Sequence, residues 1–225
     1  RGLPFTLPRA ARSALVTALL SRASALDITV TLAKSGTAAE EADYTLSGTI
    51  FISAGVTSVS TTLAANNDQI NEFDETVVVN IDTIINGTEL GGPAGQTQTV
   101  TIVEDDPKPS VSLALGSPSV NESAPGNNTT VTATLSAVSG LPVTMNLSKG
   151  GTATESADYT LNGTIMIPAG EGSGTITLTA LADIFDEFNE TVVISIIDPV
   201  TNGTNGSTPQ TVTLLDDDNP PTVNL

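Results

Sequence analysis

A set of carboxylates recurs along this sequence at spacings that could hold a cation. Glu122 follows a short apolar run, and Asp158 lies in an Ala-Asp-Tyr turn. Asp183 and Glu187 share one segment, and Asp216, Asp217 and Asp218 form a triplet. The first half repeats the order with Asp43, then Asp68 and Glu72, then Asp105 and Asp106. Few basic residues lie near them. Two carboxylates about 5 Å apart at an effective dielectric of ~20 repel by about 3 kcal/mol. A converging cluster therefore needs a counter-charge. Calcium suits such a set, because it takes about 6–8 oxygen ligands in irregular geometry. Softer metals want Cys or His, and the chain has neither. Glu75 and Glu190 each precede Thr-Val-Val and read as marks of the fold.

The composition narrows the chemistry further. The 225 residues include 25 acids and 7 bases, for a net charge of −18. Without Cys or His there is no zinc finger, haem ligand, disulfide or Ser-His-Asp nucleophile. A strongly acidic surface repels phosphate backbones, so nucleic acid is not an expected partner. A hydrophobic content of 39% is enough for a core. Four of the bases, Arg1, Arg9, Arg12 and Arg22, precede the first acid, Asp27. The apolar stretch around Ala14–Leu20 is too short to span a bilayer.

The elements that must position the acids come from an internal repeat. Leu32–Leu63 lies over Leu147–Leu178 at a constant offset of 115 residues. Gly36-Thr37-Ala38 matches Gly151-Thr152-Ala153, and the ADYTL runs at 42–46 and 157–161 are identical. Asp68, Glu72, Glu75 and Thr76 fall on Asp183, Glu187, Glu190 and Thr191. VTALLS at 16–21 lies on VTATLS at 131–136, but the match fades before residue 15. At that offset Leu7 falls on Glu122, so the first repeat has no counterpart to that acid. After a small change in spacing, VTIVEDD at 100–106 matches VTLLDDD at 212–218, and PSVSL at 109–113 matches PTVNL at 221–225.

Each repeat alternates apolar with polar residues over short runs, as in Val111–Leu115, Val131–Leu135, Val143–Leu147, Thr175–Leu181, Thr191–Ile196 and Val212–Leu214. Period two with Thr, Val and Ile predicts half-buried strands. Pro125-Gly126, Asn162-Gly163 and Asn202-Gly203 are turn signals. About seven short strands in roughly 110 residues point to a two-sheet sandwich. The expected class is all-β: tandem immunoglobulin-like, seven-stranded antiparallel β-sandwiches. The expected division is 1–106 for the first repeat, with 1–15 divergent or truncated, 107–218 for the second, and 219–225 as a linker and the start of a third. Tyr44 and Tyr159 are expected in the core, and Phe185 and Phe188 packed under a loop.

The long run GTA…DYTLNGTIMIPAGEGSGTITLTALAD…E..ET.V…VTLLDDD resembles the Calx-β domain. The resemblance covers nearly all of 110–218 and about 16–106. It implies a sandwich that holds Ca²⁺ in loops at one end. The ligands it implies in repeat two are Glu122, Asp158, Asp183, Glu187 and the Asp216–Asp218 triplet. In repeat one they are Asp43, Asp68, Glu72, Asp105 and Asp106. Family members often have a second acid before Asp183. Ala182 stands there, and Asn67 in repeat one, so one or two ions per repeat are expected.

The expected function is a Ca²⁺-binding structural or adhesive module of a larger extracellular or cell-surface protein. Expected partners are calcium ions, neighbouring repeats of the same chain, and another cell-surface protein or a carbohydrate. The alternative is a Ca²⁺-sensing domain of a membrane transporter or signalling protein. A glycosidase using Asp183 and Glu187 is not expected, because the acids recur at loop ends in both repeats.

Overall fold

Alternation of Thr outside with Val, Ala and Leu inside makes strands the default conformation of this chain. In the computed structural model, every named element is a strand. The structure describes residues 5–9, 13–91, 96–123 and 125–225. The chain divides into two compact units, residues 1–106 and 107–225.

The first unit contains β1 (Phe5–Pro8), β2 (Ser13–Leu19), β3 (Ile28–Gly36), β4 (Tyr44–Leu46), β5 (Thr49–Ile52), β6 (Ser58–Ala65), β7 (Glu75–Ile85) and β8 (Gln98–Val103). One sheet runs β1-β8-β7-β3-β5 and the other β2-β6-β4. The second unit contains β9 (Ser110–Leu115), β10 (Ser119–Asn121), β11 (Asn128–Leu135), β12 (Val143–Gly151), β13 (Tyr159–Leu161), β14 (Thr164–Ile167), β15 (Ser173–Ala180), β16 (Glu190–Thr201), β17 (Thr204–Asn205) and β18 (Gln210–Leu215). Its sheets run β10-β18-β16-β12-β14 and β13-β15-β11-β9-β17.

Seven-strand bookkeeping still applies to the second unit, with three refinements. The first strand is split between the sheets as β9 and β10. The fourth is split as β13 and β14, and β17 is a two-residue addition. Pairing is antiparallel except β10 with β18 and β17 with β9, which are parallel. That is the geometric result of a first strand that switches sheets.

The core follows the alternation. Along β11, Val131, Ala133 and Leu135 are buried between the sheets. They meet Leu178, Ile194, Ile165 and Tyr159. The first unit builds a matching core from Leu63, Val79, Ile50 and Tyr44. Both tyrosines are buried, as expected.

The repeated Gly-Thr-Ala has a steric cause. Gly151 has φ +107°, and a Cβ there would lie 2.1 Å from the Thr191 carbonyl oxygen. Gly36 has φ +121° and the same clash with Thr76. Only glycine accepts both the positive φ and that approach. The reward is local: the backbone N–H groups of Thr152 and Ala153 donate to the Thr191 carbonyl at 3.0 and 3.1 Å. The corner pins the start of β16, where Glu190 stands.

The beginning of the chain carries a strand that the repeat pattern did not show. Residues 1–15 do not match the repeat at the offset of 115, yet residues 5–8 form β1. β1 runs parallel to β8 as β10 runs parallel to β18. Pro8 pairs with Val103 and Asn121 with Leu215. The residue after each is therefore equivalent: Arg9 in the first unit and Glu122 in the second. A shorter connection to the next strand changes the offset, which is why alignment by sequence put Leu7 opposite Glu122.

Candidate metal centre

Each acid reaches the site because a strand ends there. In the second unit Glu122 follows β10, and Asp216–Asp218 follow β18 beside it. Asp183 and Glu187 lie between β15 and β16. Asp158 immediately precedes β13, whose first residue pairs with the last of β15 (Tyr159 with Ala180). The start of β16 pairs with the end of β18 (Glu190 with Leu214). Strand register alone thus gathers these positions.

Local hydrogen bonds then fix several side chains. The Asp158 carboxylate accepts from the Thr154 N–H at 2.6 Å. The Asp183 carboxylate accepts from the Phe185 N–H at 2.7 Å. The second is an Asx turn; in the first, Asp158 reaches back four residues to satisfy the backbone of its own turn. The Asp216 N–H donates to Asn189 Oδ1 at 3.1 Å.

Carboxylate oxygens of Glu122, Asp216 and Asp218 lie within 4.8 Å of one another. Glu122 is only 5% exposed. Burial, then the charges of Asp216, Asp183, Glu187 and Asp217, push its carboxyl up to about 7. Burial followed by Asp183, Asp158 and Asp216 raises Glu187. Glu190 is raised by burial and by a hydrogen bond with Asp158, which brings it into the cluster. Asp218 is raised by burial, Asp216 and Asp217. Among the described residues of this unit, the ion pair is Lys149 with Glu155, and no basic side chain pairs with the cluster.

One buried oxygen, Asp216 Oδ1, has no hydrogen-bond partner. Burying an acceptor unpaired costs roughly 1–3 kcal/mol. A hard cation bound by oxygen ligands would satisfy it and remove the mutual repulsion. The residues of the second unit therefore fit Ca²⁺. Glu122, Asp216 and Asp218 form the nucleus, with Asp158, Asp183 and Glu187 around it. Asp217 is exposed and acts through its charge.

The first unit resolves the same charge problem differently. Arg9 is fully buried, with 0% exposure. Its guanidinium lies 2.6 Å from Glu72, 3.0 Å from Asp68, 3.4 Å from Glu75, 3.5 Å from Asp43 and 3.9 Å from Glu104. Burial alone would lower its pKa, but the Glu72 and Asp68 carboxylates raise it instead. Glu75 is pushed up to about 7 by burial and by its hydrogen bond to Asp43, with Arg9 opposing. Glu104 and Asp106 are raised chiefly by burial. The expected ligands Asp43, Asp68 and Glu72 do converge, but on an arginine. Asp105 is exposed and stands beside Asp106 and Glu104, with oxygens within 4.8 Å. In this unit a guanidinium fills the position from which the second unit presents Glu122, while carboxylate oxygens of Asp43, Glu72 and Glu75 also lie within 4.8 Å of one another.

Sequence reasoning did not name Arg9 or Glu104 as site residues, and it read Glu75 and Glu190 only as marks of the fold. The conserved spacing from Thr76 and Thr191 was a signal for the two strand-start glutamates. Arg9 offered no such signal, since its register depends on β1. Phe185 and Phe188 are exposed, Phe188 to 94%, and do not pack under the loop as expected.

The chain has solved structures to compare with. CBD12 from CALX1.2 shares 16% identity over 93% of this chain and 96% of its own, with a TM-score of 0.40. The calcium binding domain CBD12 of CALX1.1 shares 17% identity over 94% and 96%, with a TM-score of 0.41. The apo form of the Calx CBD1 domain covers 48% of this chain and 99% of its own at 19% identity, with a TM-score of 0.40. No curated protein matches the sequence. The Calx-beta domain family matches twice, over residues 15–107 and 104–218, and the chain is therefore a member of the Calx-beta family carrying two tandem domains.

Proposed function

We propose that this chain is a Ca²⁺-binding module in which the second domain takes the ion and the first holds its loops with Arg9. The observation that carries the reading is the pair Glu122 and Asp216. One is a buried carboxyl surrounded by like charges, and the other has a buried oxygen without a partner. Bound Ca²⁺ would neutralise the cluster and order the segments 181–189 and 216–218. Its role is binding and ordering, and the same acids recurring at strand ends in both domains support that over catalysis.

The wider setting we propose is a structural or adhesive repeat protein at the cell surface. The tandem arrangement and the acidic, Thr-rich surfaces support it. Regulation of a transporter is the second reading, and it rests on the family. No helix among the described residues is long and apolar enough to cross a membrane.

Calorimetric titration of the full chain with Ca²⁺ tests the metal reading. Binding heat is expected, with Mg²⁺ giving much less because it demands tighter octahedral geometry. Asp158→Ala and Glu187→Ala should each weaken binding, and Glu171→Ala should not. No heat and no stabilisation at millimolar Ca²⁺ would sink the reading.

A further inference from the structure

Both domains carry a lysine at the same place. Of the seven bases, only Lys34 and Lys149 are related by the offset of 115 residues. Lys149 stands near the end of β12, and Lys34 near the end of β3. The Lys149 Nζ donates to the Leu161 carbonyl at 3.0 Å and to the Glu155 carboxylate. The Lys34 Nζ donates to the Leu46 carbonyl at 3.0 Å and to the Glu40 carboxylate. β12 and β13 belong to different sheets, as do β3 and β4. Each ammonium thus ties a strand of either sheet to the loop between them. The lysine side chains are only 19% and 18% exposed, so neither is a freely solvated surface charge.

The loop it grips carries a candidate ligand. After Glu155 the backbone turns through Ser156 at φ +71°, and after Glu40 through Glu41 at φ +72°. Neither residue is glycine, so both turns are held in a sparsely populated conformation by their surroundings. The Ser156 N–H donates to the Tyr159 carbonyl at 2.8 Å, and the Asp158 N–H to the Thr154 carbonyl at 2.9 Å. The Thr154 N–H donates in turn to the Asp158 carboxylate. The first domain repeats these contacts, from Glu41 to Tyr44, from Asp43 to Ala39 and from the Ala39 N–H to the Asp43 carboxylate. The Gly-Thr-Ala corner fixes the start of the loop. Its end is fixed by the Leu181 N–H on the Asp158 carbonyl at 2.9 Å. The lysine holds the middle, at the residue before the left-handed turn.

We propose that Lys149 is a positioning residue for the metal centre, a clip that holds Glu155 and so the turn that aims the Asp158 carboxylate at the cation. Lys34 does the same for Asp43, which faces Arg9. The second-domain half rests on the Ca²⁺ reading, and the first-domain half stands without it. A ligand already aimed loses less freedom when the ion binds. The sign of the effect separates a clip from a mere charge. As a charge, Lys149 opposes a cation, so its loss would strengthen Ca²⁺ binding. As a clip, its loss weakens binding.

Calorimetric titration of the full chain with Ca²⁺, beside hydrogen exchange in EDTA, tests it. Lys149→Met keeps an aliphatic stem and removes the donor. Its Ca²⁺ affinity should fall about fivefold, near the upper limit for a partly exposed pair. Glu155→Gln should weaken binding less, and the double variant should match Lys149→Met, since one contact is removed in both. In EDTA the Thr154 amide should exchange about tenfold faster in Lys149→Met, while the Thr152 and Ala153 amides, which bond to Thr191, keep their parental rates. The Ala39 amide should respond in the same way to Lys34→Met. Unchanged or higher Ca²⁺ affinity in Lys149→Met would overturn the proposal, as would parental exchange at Thr154 and Ala39. Faster exchange throughout the domain overturns it too, because that marks general destabilisation. A parent chain that takes up no Ca²⁺ defeats the metal reading instead, and exchange at Thr154 and Ala39 then decides the clip alone.

Discussion

At the scale of single residues, Arg9 and Glu122 decide how the two domains balance their charge. They occupy equivalent positions, and each sits among acids. Arg9→Gln should destabilise the first domain by about 3 kcal/mol, because removing one partner strands the others. Thermal unfolding would measure it. Arg9→Glu recreates the arrangement around Glu122, so Ca²⁺ should raise the midpoint of that variant's first domain and leave the parent's unchanged. Glu122 also sets a pH dependence. Folded, it keeps its proton up to about pH 7. Unfolded, it loses it near an ordinary value of about 4.3. The folded state binds more protons between these values, so stability of the metal-free domain is fullest below about pH 4.3 and falls as pH climbs through 7. Glu187, Glu190 and Asp218 shift in the same direction. Ca²⁺ replaces the proton, and its affinity should rise over the same window. Stability measured by denaturant titration from pH 4 to 8 in EDTA checks the slope, and a rise with pH would contradict it.

At the scale of elements, the Gly-Thr-Ala corner holds the start of β16, and with it Glu190. Gly151→Ala meets both a positive φ and the Thr191 oxygen. It should cost the second domain about 2 kcal/mol or more. Gly150→Ala is the control: it has open space and an ordinary φ. Thermal melts of the two variants should differ sharply. If the destabilised variant still folds, its Ca²⁺ affinity should also fall, because the corner positions the site. The strands themselves were legible in the sequence. Val131–Leu135 and Val212–Leu214 alternate so regularly that burial of one face follows. The ends were less so, and β1 was missed. A four-residue strand pairing parallel across about 95 residues has no local signal.

At the scale of the molecule, the domains should respond differently to the same ion. Ca²⁺ at a hundred times its dissociation constant stabilises by about 2.7 kcal/mol, and only where it binds. Differential scanning calorimetry should therefore show the second domain's transition moving up with Ca²⁺ and the first domain's staying still. Movement of both would place an ion beside Arg9 as well. The net charge of −18 predicts the repulsion but not its remedy. One cluster has an internal guanidinium within reach of five acids. The other has none among the described residues.

The sequence by itself determined the class of fold, the repeat, and which acids lie at strand ends. Those are consequences of period-two burial and of loops recurring at one offset, which are local facts. It also determined that any bound metal must accept oxygen ligands, since no softer ligand exists. Only the tertiary structure decided that Arg9 stands where Glu122 stands and that Glu75 and Glu190 join the clusters. Each of these depends on register between segments far apart in the chain. A slip of one residue turns a side chain to the other face, so composition and spacing cannot say whether an acid meets a guanidinium or is left to a metal ion.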